Sequence, residues 1–241
     1  MNSINKTARI GGIFYLIIIV LGIFGEAFVR SKLIMSGDAT ATANNIINAP
    51  LLWRMGIAGD LIMHVCDLPL LLVFYILLRP VNKNLALLAV FFNLIQTAVL
   101  VATKLNLFTA LFLLGSADYL KAFEPDQLHA LMYLSIKSDG YGFGLGLLFF
   151  GCACLVLGYL IFRSGYLPRL LGVLMQIAGL SYLINSFALV LAPGFANMIF
   201  PIVLIPAFIG ELSLCLWLII RGVNVPKWES KRLMNSAAPE I

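Results

Sequence analysis

Runs of about 20 apolar residues recur along the whole chain, and each is long enough to cross a hydrocarbon layer roughly 30 Å thick as a helix. Inside such a layer the backbone finds no water, so only helices and closed barrels satisfy every N–H and C=O group. The length of the runs selects helices. Six can be placed, at 10–29, 55–78, 85–114, 141–162, 169–191 and 199–220. Of the 241 residues, 61% are hydrophobic and 11% charged, with mean hydropathy +1.00; a soluble domain devotes about a quarter of its residues to charge. The expected fold is all-α: one polytopic membrane bundle over 1–241, closed by a polar tail at 225–241.

Local signals set the boundaries. The first run follows Lys6 and Arg9 as a signal peptide would, but it is long for one, and Glu26 stands where small cleavage-site residues belong, so it reads as an uncleaved span. The second span stops at Arg79-Pro80, because proline disfavours helical geometry in the residue before it. Asn82 or Asn84 is placed to cap the third. Between the third and fourth spans, 118–139 is the most polar interior stretch, and Glu124-Pro125-Asp126 opens a short amphipathic helix expected to lie on the membrane surface. Gly165 suits the C-cap of the fourth span and Pro168 the first turn of the fifth.

Six spans put both termini on one side. That face carries Lys6, Arg9, Arg79, Lys83, Arg163, Arg169, Arg221, Lys227, Lys231 and Arg232, against Arg30, Lys32, Arg54, Lys121 and Lys137 opposite. The excess of cations predicts cytoplasmic termini. The cations sit singly or in pairs beside apolar runs and make no basic stripe, so the formal charge of +5 points to topology and away from nucleic acid. Tyr75-x3-Arg79, Tyr159-x3-Arg163 and Trp217-x3-Arg221 repeat an interfacial aromatic beside an anchoring cation. Cys66, Cys152, Cys154 and Cys215 lie in apolar runs without CxxC spacing and read as inert buried thiols.

Two segments carry a resemblance: Leu77-Leu78-Arg79-Pro80-Val81-Asn82 with Leu85-Ala86-Leu87-Leu88-Ala89, and Gly158-Tyr159-Leu160 followed by Arg163-Ser164-Gly165-Tyr166-Leu167-Pro168-Arg169. With Trp53-Arg54, Asp60-Leu61 and Glu211-Leu212-Ser213-Leu214, they resemble the bacterial membrane family catalogued as domain of unknown function 4386. The resemblance covers nearly the whole chain. It implies a multi-pass protein of the bacterial cytoplasmic membrane, and it brings no activity, cofactor or catalytic residue.

Ionisable groups in hydrocarbon are costly, so each is a candidate for function. In the second span Asp60, His64 and Asp67 stand at i, i+4 and i+7 on one face. In the third, Asn93, Gln96, Thr97 and Lys104 share a face as well. The expected packing turns the two stripes together, with Lys104 pairing Asp60 or lining a small hydrated cavity, and brings Glu211 of the sixth span alongside. Asp60, His64, Asp67 and Glu211 would then be one coupled cluster, in which at least one acid holds a proton or a cation. Pro69 and Pro206 lie near Asp67 and Glu211, as in the broken helices that mark transporter sites.

Gly140, Gly144, Gly151 and Gly158 form a narrow face of the fourth span, and Gly172, Gln176, Gly179 and Ser186 a matching one on the fifth, for close helix contact. The dense glycines at 140–146 are no phosphate loop, since no strand precedes them and no Gly-Lys-Ser/Thr follows. His129 reads as a solvated residue of the surface helix.

The leading functional expectation is a non-enzymatic protein that binds or moves a small molecule, lipid or ion through an outward-facing polar cavity of the second, third and sixth spans. Its candidate residues are Asp60, His64, Asp67, Asn93, Gln96, Lys104 and Glu211. The alternative is an intramembrane hydrolase whose metal is held by Asp60, His64, Asp67 and Glu211, although HExxH and G-x-S-x-G are both missing from the sequence. A third reading, a helper subunit of a membrane complex or a homo-oligomer, uses the Gly-lined faces. In every reading the lipid bilayer is the partner common to all.

Overall fold

The computed structural model describes residues 3–236, and among them every regular element is helical. The order is α1 (Ser3–Ile23), a π turn (Phe24–Arg30), α2 (Ser31–Leu33), α3 (Ala39–Asn48), α4 (Pro50–Leu78), α5 (Lys83–Leu113), a 3₁₀ turn (Asp118–Ala122), α6 (Pro125–Ser164), α7 (Arg169–Leu191), α8 (Pro193–Ile220) and α9 (Val225–Ser236). Six stretches are long and apolar enough to cross a membrane, the first running unbroken from Ser3 to Leu33 through the π turn.

Several expected boundaries hold for the expected reasons. Asn82 caps α5, its Oδ1 accepting from Leu85 N at 2.9 Å. Gly165 takes φ +75° in the turn after α6, a conformation that costs glycine little. The helix of the sixth span, in contrast, starts earlier than the expected 199, with Pro193 in the first turn of α8. The loop after the first span contains α3, capped by Asp38, whose Oδ1 accepts from Ala41 N at 2.8 Å.

Two expectations are corrected, and a third gains detail. The surface helix and the fourth span are one helix, α6, of 40 residues, about 60 Å long at 1.5 Å per residue. Nothing between 126 and 164 forces a break: the sequence has no internal proline there, and Asp139, the last acid of the polar stretch, is neutralised by a lysine. Pro69 and Pro206 interrupt neither α4 nor α8, which run through them as continuous helices; membrane helices absorb a lost backbone bond when neighbours re-satisfy the freed carbonyl. The polar tail forms α9 as far as Ser236, while 237–241 lie outside the described residues.

The chain divides into two compact units. The first comprises Met1–Ile17, Cys66–Thr97 and Gly144–Ile241; the second comprises Ile18–Val65 and Ala98–Phe143. In the first, the glycine face of α6 meets that of α7 from Gly144 to Gly158: a Cβ on Gly151 would lie 2.9 Å from Gly179 O, and one on Gly158 would lie 2.6 Å from Gly172 O, whereas the Cβ position of Gly140, in the second unit, has nothing within 4 Å. Only glycine permits that backbone approach, which maximises dispersion contact where lipid offers no hydrophobic drive. Ser186 Oγ donates to Gly144 O at 2.8 Å. At the end of α4, Leu77 O accepts from both Tyr166 Oη (2.6 Å) and Trp228 Nε1 (3.0 Å), so a carbonyl that the helix leaves without a partner is doubly satisfied.

The second unit is organised around Trp53, 1% exposed, whose indole N–H donates to Leu107 O at 3.2 Å. Val29, Leu33, Ile46, Ile57, Met132 and Ile136 pack in the same buried cluster. Asn45 ties α3 to the end of the first span by donating to Leu33 O at 3.3 Å.

Candidate functional site

In the second unit, four elements each deliver one charged side chain to a single point, three of them buried and Arg30 partly so. Arg30 comes from the π turn, Asp60 from α4, Lys104 from α5 and Asp139 from α6. Arg30 grips Asp60 with both guanidinium arms, Nη1–Oδ2 2.8 Å and Nη2–Oδ1 3.3 Å. Lys104 Nζ stands 3.4 Å from Asp60 Oδ2 and donates to Asp139 Oδ1 and Oδ2 at 3.1 and 3.2 Å. At the outer end Arg30 Nε donates to Glu26 Oε2 at 2.8 Å.

The result is a ladder of alternating sign: Glu26, Arg30, Asp60, Lys104, Asp139. Its exposure falls sharply inward, with side chains 65% exposed at Glu26, 18% at Arg30, 1% at Asp60, 5% at Lys104 and 7% at Asp139. The four inner charges sum to zero, which is how charge survives away from water. The alternation also gives Asp60 two cations and Lys104 two carboxylates.

The backbone makes room for this. A Cβ on Gly25 would lie 2.8 Å from both Arg30 Nη2 and Asp60 Oδ1, so the bidentate pair occupies space that only glycine leaves open. A Cβ on Gly142 would lie 2.0 Å from Thr103 Cγ2, so α5 and α6 approach closely just where Lys104 meets Asp139. The π turn carries both Glu26 and Arg30, and such turns are frequent at functional sites.

The expected pairing of Lys104 with Asp60 is therefore present, and the sequence reading missed its other partners. From the sequence Arg30 counts among the outer-face cations that set the topology, and Asp139 closes the polar stretch at 118–139. A signal for Arg30 did exist: Glu26 four residues before it makes an i, i+4 pair at the end of an apolar run.

The remaining candidates divide by unit. His64, 2% exposed, belongs to the second. Asp67, Asn93, Gln96 and Glu211 belong to the first, where Asn93 and Gln96 are buried and Thr97 Oγ1 reaches Asp67 Oδ2 at 3.3 Å. Glu211 is held by two phenols, accepting from Tyr182 Oη and from Tyr15 Oη. The tyrosines were legible in principle: Tyr15 and Tyr182 sit mid-span, away from the interface, and a buried hydroxyl there needs a partner.

Asp60 is thus paired with side chains of the first and third spans, and Glu211 with side chains of the first and fifth. Among the described residues no three His, Cys, Asp or Glu side chains are grouped so as to hold a metal ion, so the ligand set expected for a hydrolase is not assembled. The four cysteines are free, with Cys66, Cys154 and Cys215 buried.

A family model described as "Domain of unknown function (DUF4386)" matches residues 10–222. An "Uncharacterized protein" of Archaeoglobus fulgidus, an archaeon, is 30% identical over 167 residues, covering 69% of this chain and 83% of that one. No solved structure matches.

Proposed function

We propose, for a chain that belongs to the DUF4386 family and has six helices fit to cross a membrane, that this multi-pass protein binds or moves an anionic small molecule or lipid headgroup, with Arg30 as its receptor. The observation that carries the reading is the double occupancy of Asp60. Arg30 and Lys104 both lie against its carboxylate. When Arg30 turns to an incoming anion, Asp60 keeps Lys104, and no buried charge is stranded. An exchange of partners of this kind avoids the cost of several kcal/mol for an uncompensated ion.

Arg30 is suited to the role. It is the most exposed of the four inner members of the ladder, and its planar fork matches carboxylate or phosphate oxygens two at a time. An incoming cation would have to displace Lys104 from between two acids, which favours an anion as the ligand. The reading is non-enzymatic. The charge asymmetry of the loops puts the ladder on the outer side and the termini in the cytoplasm, so reporter fusions after Ile241 and in the 79–84 turn should both read cytoplasmic.

The test is native mass spectrometry of the protein purified in mild detergent. An anionic adduct should be present on the wild type, lost from Arg30→Gln and retained by Glu26→Gln. Retention of the same adduct by a folded Arg30→Gln protein would remove Arg30 as the receptor.

A further inference from the structure

The segment after α8 is built to hold one helix against the end of the bundle. Gly222 turns the chain with φ +67°. Val223 N then donates to Asn5 Oδ1 at 2.9 Å, and Asn224 N donates to Tyr166 O at 3.1 Å. Asn224 also caps α9, its Oδ1 accepting from Lys227 N at 3.2 Å. One turn in, Trp228 is 6% exposed and bonded to Leu77 O. The helix is therefore fixed in orientation as well as in place.

With Trp228 turned inward, the spacing of α9 sorts its other residues. Lys227, Lys231 and Met234 stand at i, i+4 and i+7 along one flank, about 100° around the helix from Trp228, and Glu229 lies about as far round on the other side. Arg232 is stacked over the Trp228 ring, 5.5 Å from its centroid, which holds its guanidinium at the rim of the bundle. Met234 is 68% exposed, an apolar side chain beside two lysines whose own stems can lie along hydrocarbon while their heads reach phosphate.

We propose that α9 is an interfacial helix lying on the leaflet at its end of the bundle, and that Lys227, Lys231 and Arg232 bind the phosphate groups of anionic phospholipids there. The charge of the patch selects the occupant. The face that α9 shares carries ten Lys and Arg residues by the topology above, whereas among the described residues Glu229 is its acid. Cations clustered just beyond the end of a membrane helix are drawn to an anionic leaflet surface, and Met234 adds an exposed apolar contact beside them. This surface is independent of the Arg30 reading.

The experiment uses the full chain exchanged into nanodiscs of phosphatidylglycerol and phosphatidylcholine, and measures by mass spectrometry the lipids retained after transfer to detergent. The wild type should retain phosphatidylglycerol preferentially. The triple variant Lys227→Gln, Lys231→Gln, Arg232→Gln should lose at least threefold of that preference, while Lys32→Gln, an exposed cation remote in sequence from α9, should not. If the triple variant fails to fold, raising salt on the wild type should release phosphatidylglycerol and spare phosphatidylcholine. Equal retention of both lipids by the wild type, an unchanged preference in a folded triple variant, or a salt-insensitive preference would each overturn the proposal.

Discussion

The ladder in the second unit makes a definite energetic forecast through Lys104 and Asp139. Lys104→Met removes the cation that holds Asp139, itself 5% exposed, and leaves that carboxylate buried without its counter-charge. Removing one partner of a buried pair costs about 3–5 kcal/mol. Asp139→Asn differs, because Lys104 keeps Asp60 at 3.4 Å and the loss is that of one charge-assisted bond, about 1.5–3 kcal/mol. At an effective dielectric near 20 each such contact is worth about 4 kcal/mol in gross attraction, and desolvation of the ions offsets most of it. The double variant removes both charges together while Asp60 keeps Arg30, so it should lie roughly 2 kcal/mol or more above the sum of the single losses. At about 2–4 °C per kcal/mol for a chain of this size, Lys104→Met should melt about 10 °C low and the double variant should regain much of that. Thermal unfolding in detergent, followed by fluorescence and size-exclusion profile, reads all four proteins. Additive losses, or Asp139→Asn as damaging as Lys104→Met, would refute the coupling.

Three further outcomes follow from geometry. Gly25→Ala puts a Cβ 2.8 Å from both Arg30 Nη2 and Asp60 Oδ1, so it should lower the melting temperature in the wild type and much less in an Arg30→Gln background. Gly151→Leu, whose first side-chain carbon would already stand 2.9 Å from Gly179 O, should destabilise more than Leu147→Ala in the same assay; a silent Gly151→Leu would mean that this face meets lipid. Burial pushes the Tyr166 hydroxyl above its ordinary range, so its contribution is complete below the unfolded value near 10 and is lost as pH rises beyond it. Tyr166→Phe should therefore melt lower at neutral pH and show a shallower decline between about pH 10 and 11; an identical alkaline slope would contradict that reading.

Much of the fold is written in features that depend on a single helix. The apolar runs mark six spans, Asn82 and Gly165 mark helix ends, and the glycine stripes of α6 and α7 meet from Gly144 to Gly158 as their spacing implies. The site was less legible because it depends on how helices are rotated against one another, which periodicity does not fix. Lys104 and Asp60 could be paired because each is a lone charge on a polar stripe. Arg30 and Asp139 had plausible lives at the interface, and only the packing of the first span, α5 and α6 draws them inward. Glu211 was recognised as a buried acid, but assigning its partners required knowing that Tyr15 and Tyr182 face it. The union of the surface helix with the fourth span was not legible because Asp139 marks the end of the polar stretch until Lys104 is seen to neutralise it.

The double cap on Leu77 O has a consequence for biogenesis. Trp228 reaches that carbonyl across 151 residues of sequence, whereas the second unit draws on nothing later than Phe143. At translation rates of about 5–20 residues per second, the 98 residues from 144 to 241 occupy the ribosome for roughly 5–20 s. During that interval Lys104 and Asp139 are already free to pair, while the end of α4 gains its Tyr166 donor first and its Trp228 donor last. A nascent chain stalled just past α8 would carry a finished charge ladder and a helix end capped by Tyr166 alone, a defect that membrane quality control could read before any loss of the site itself.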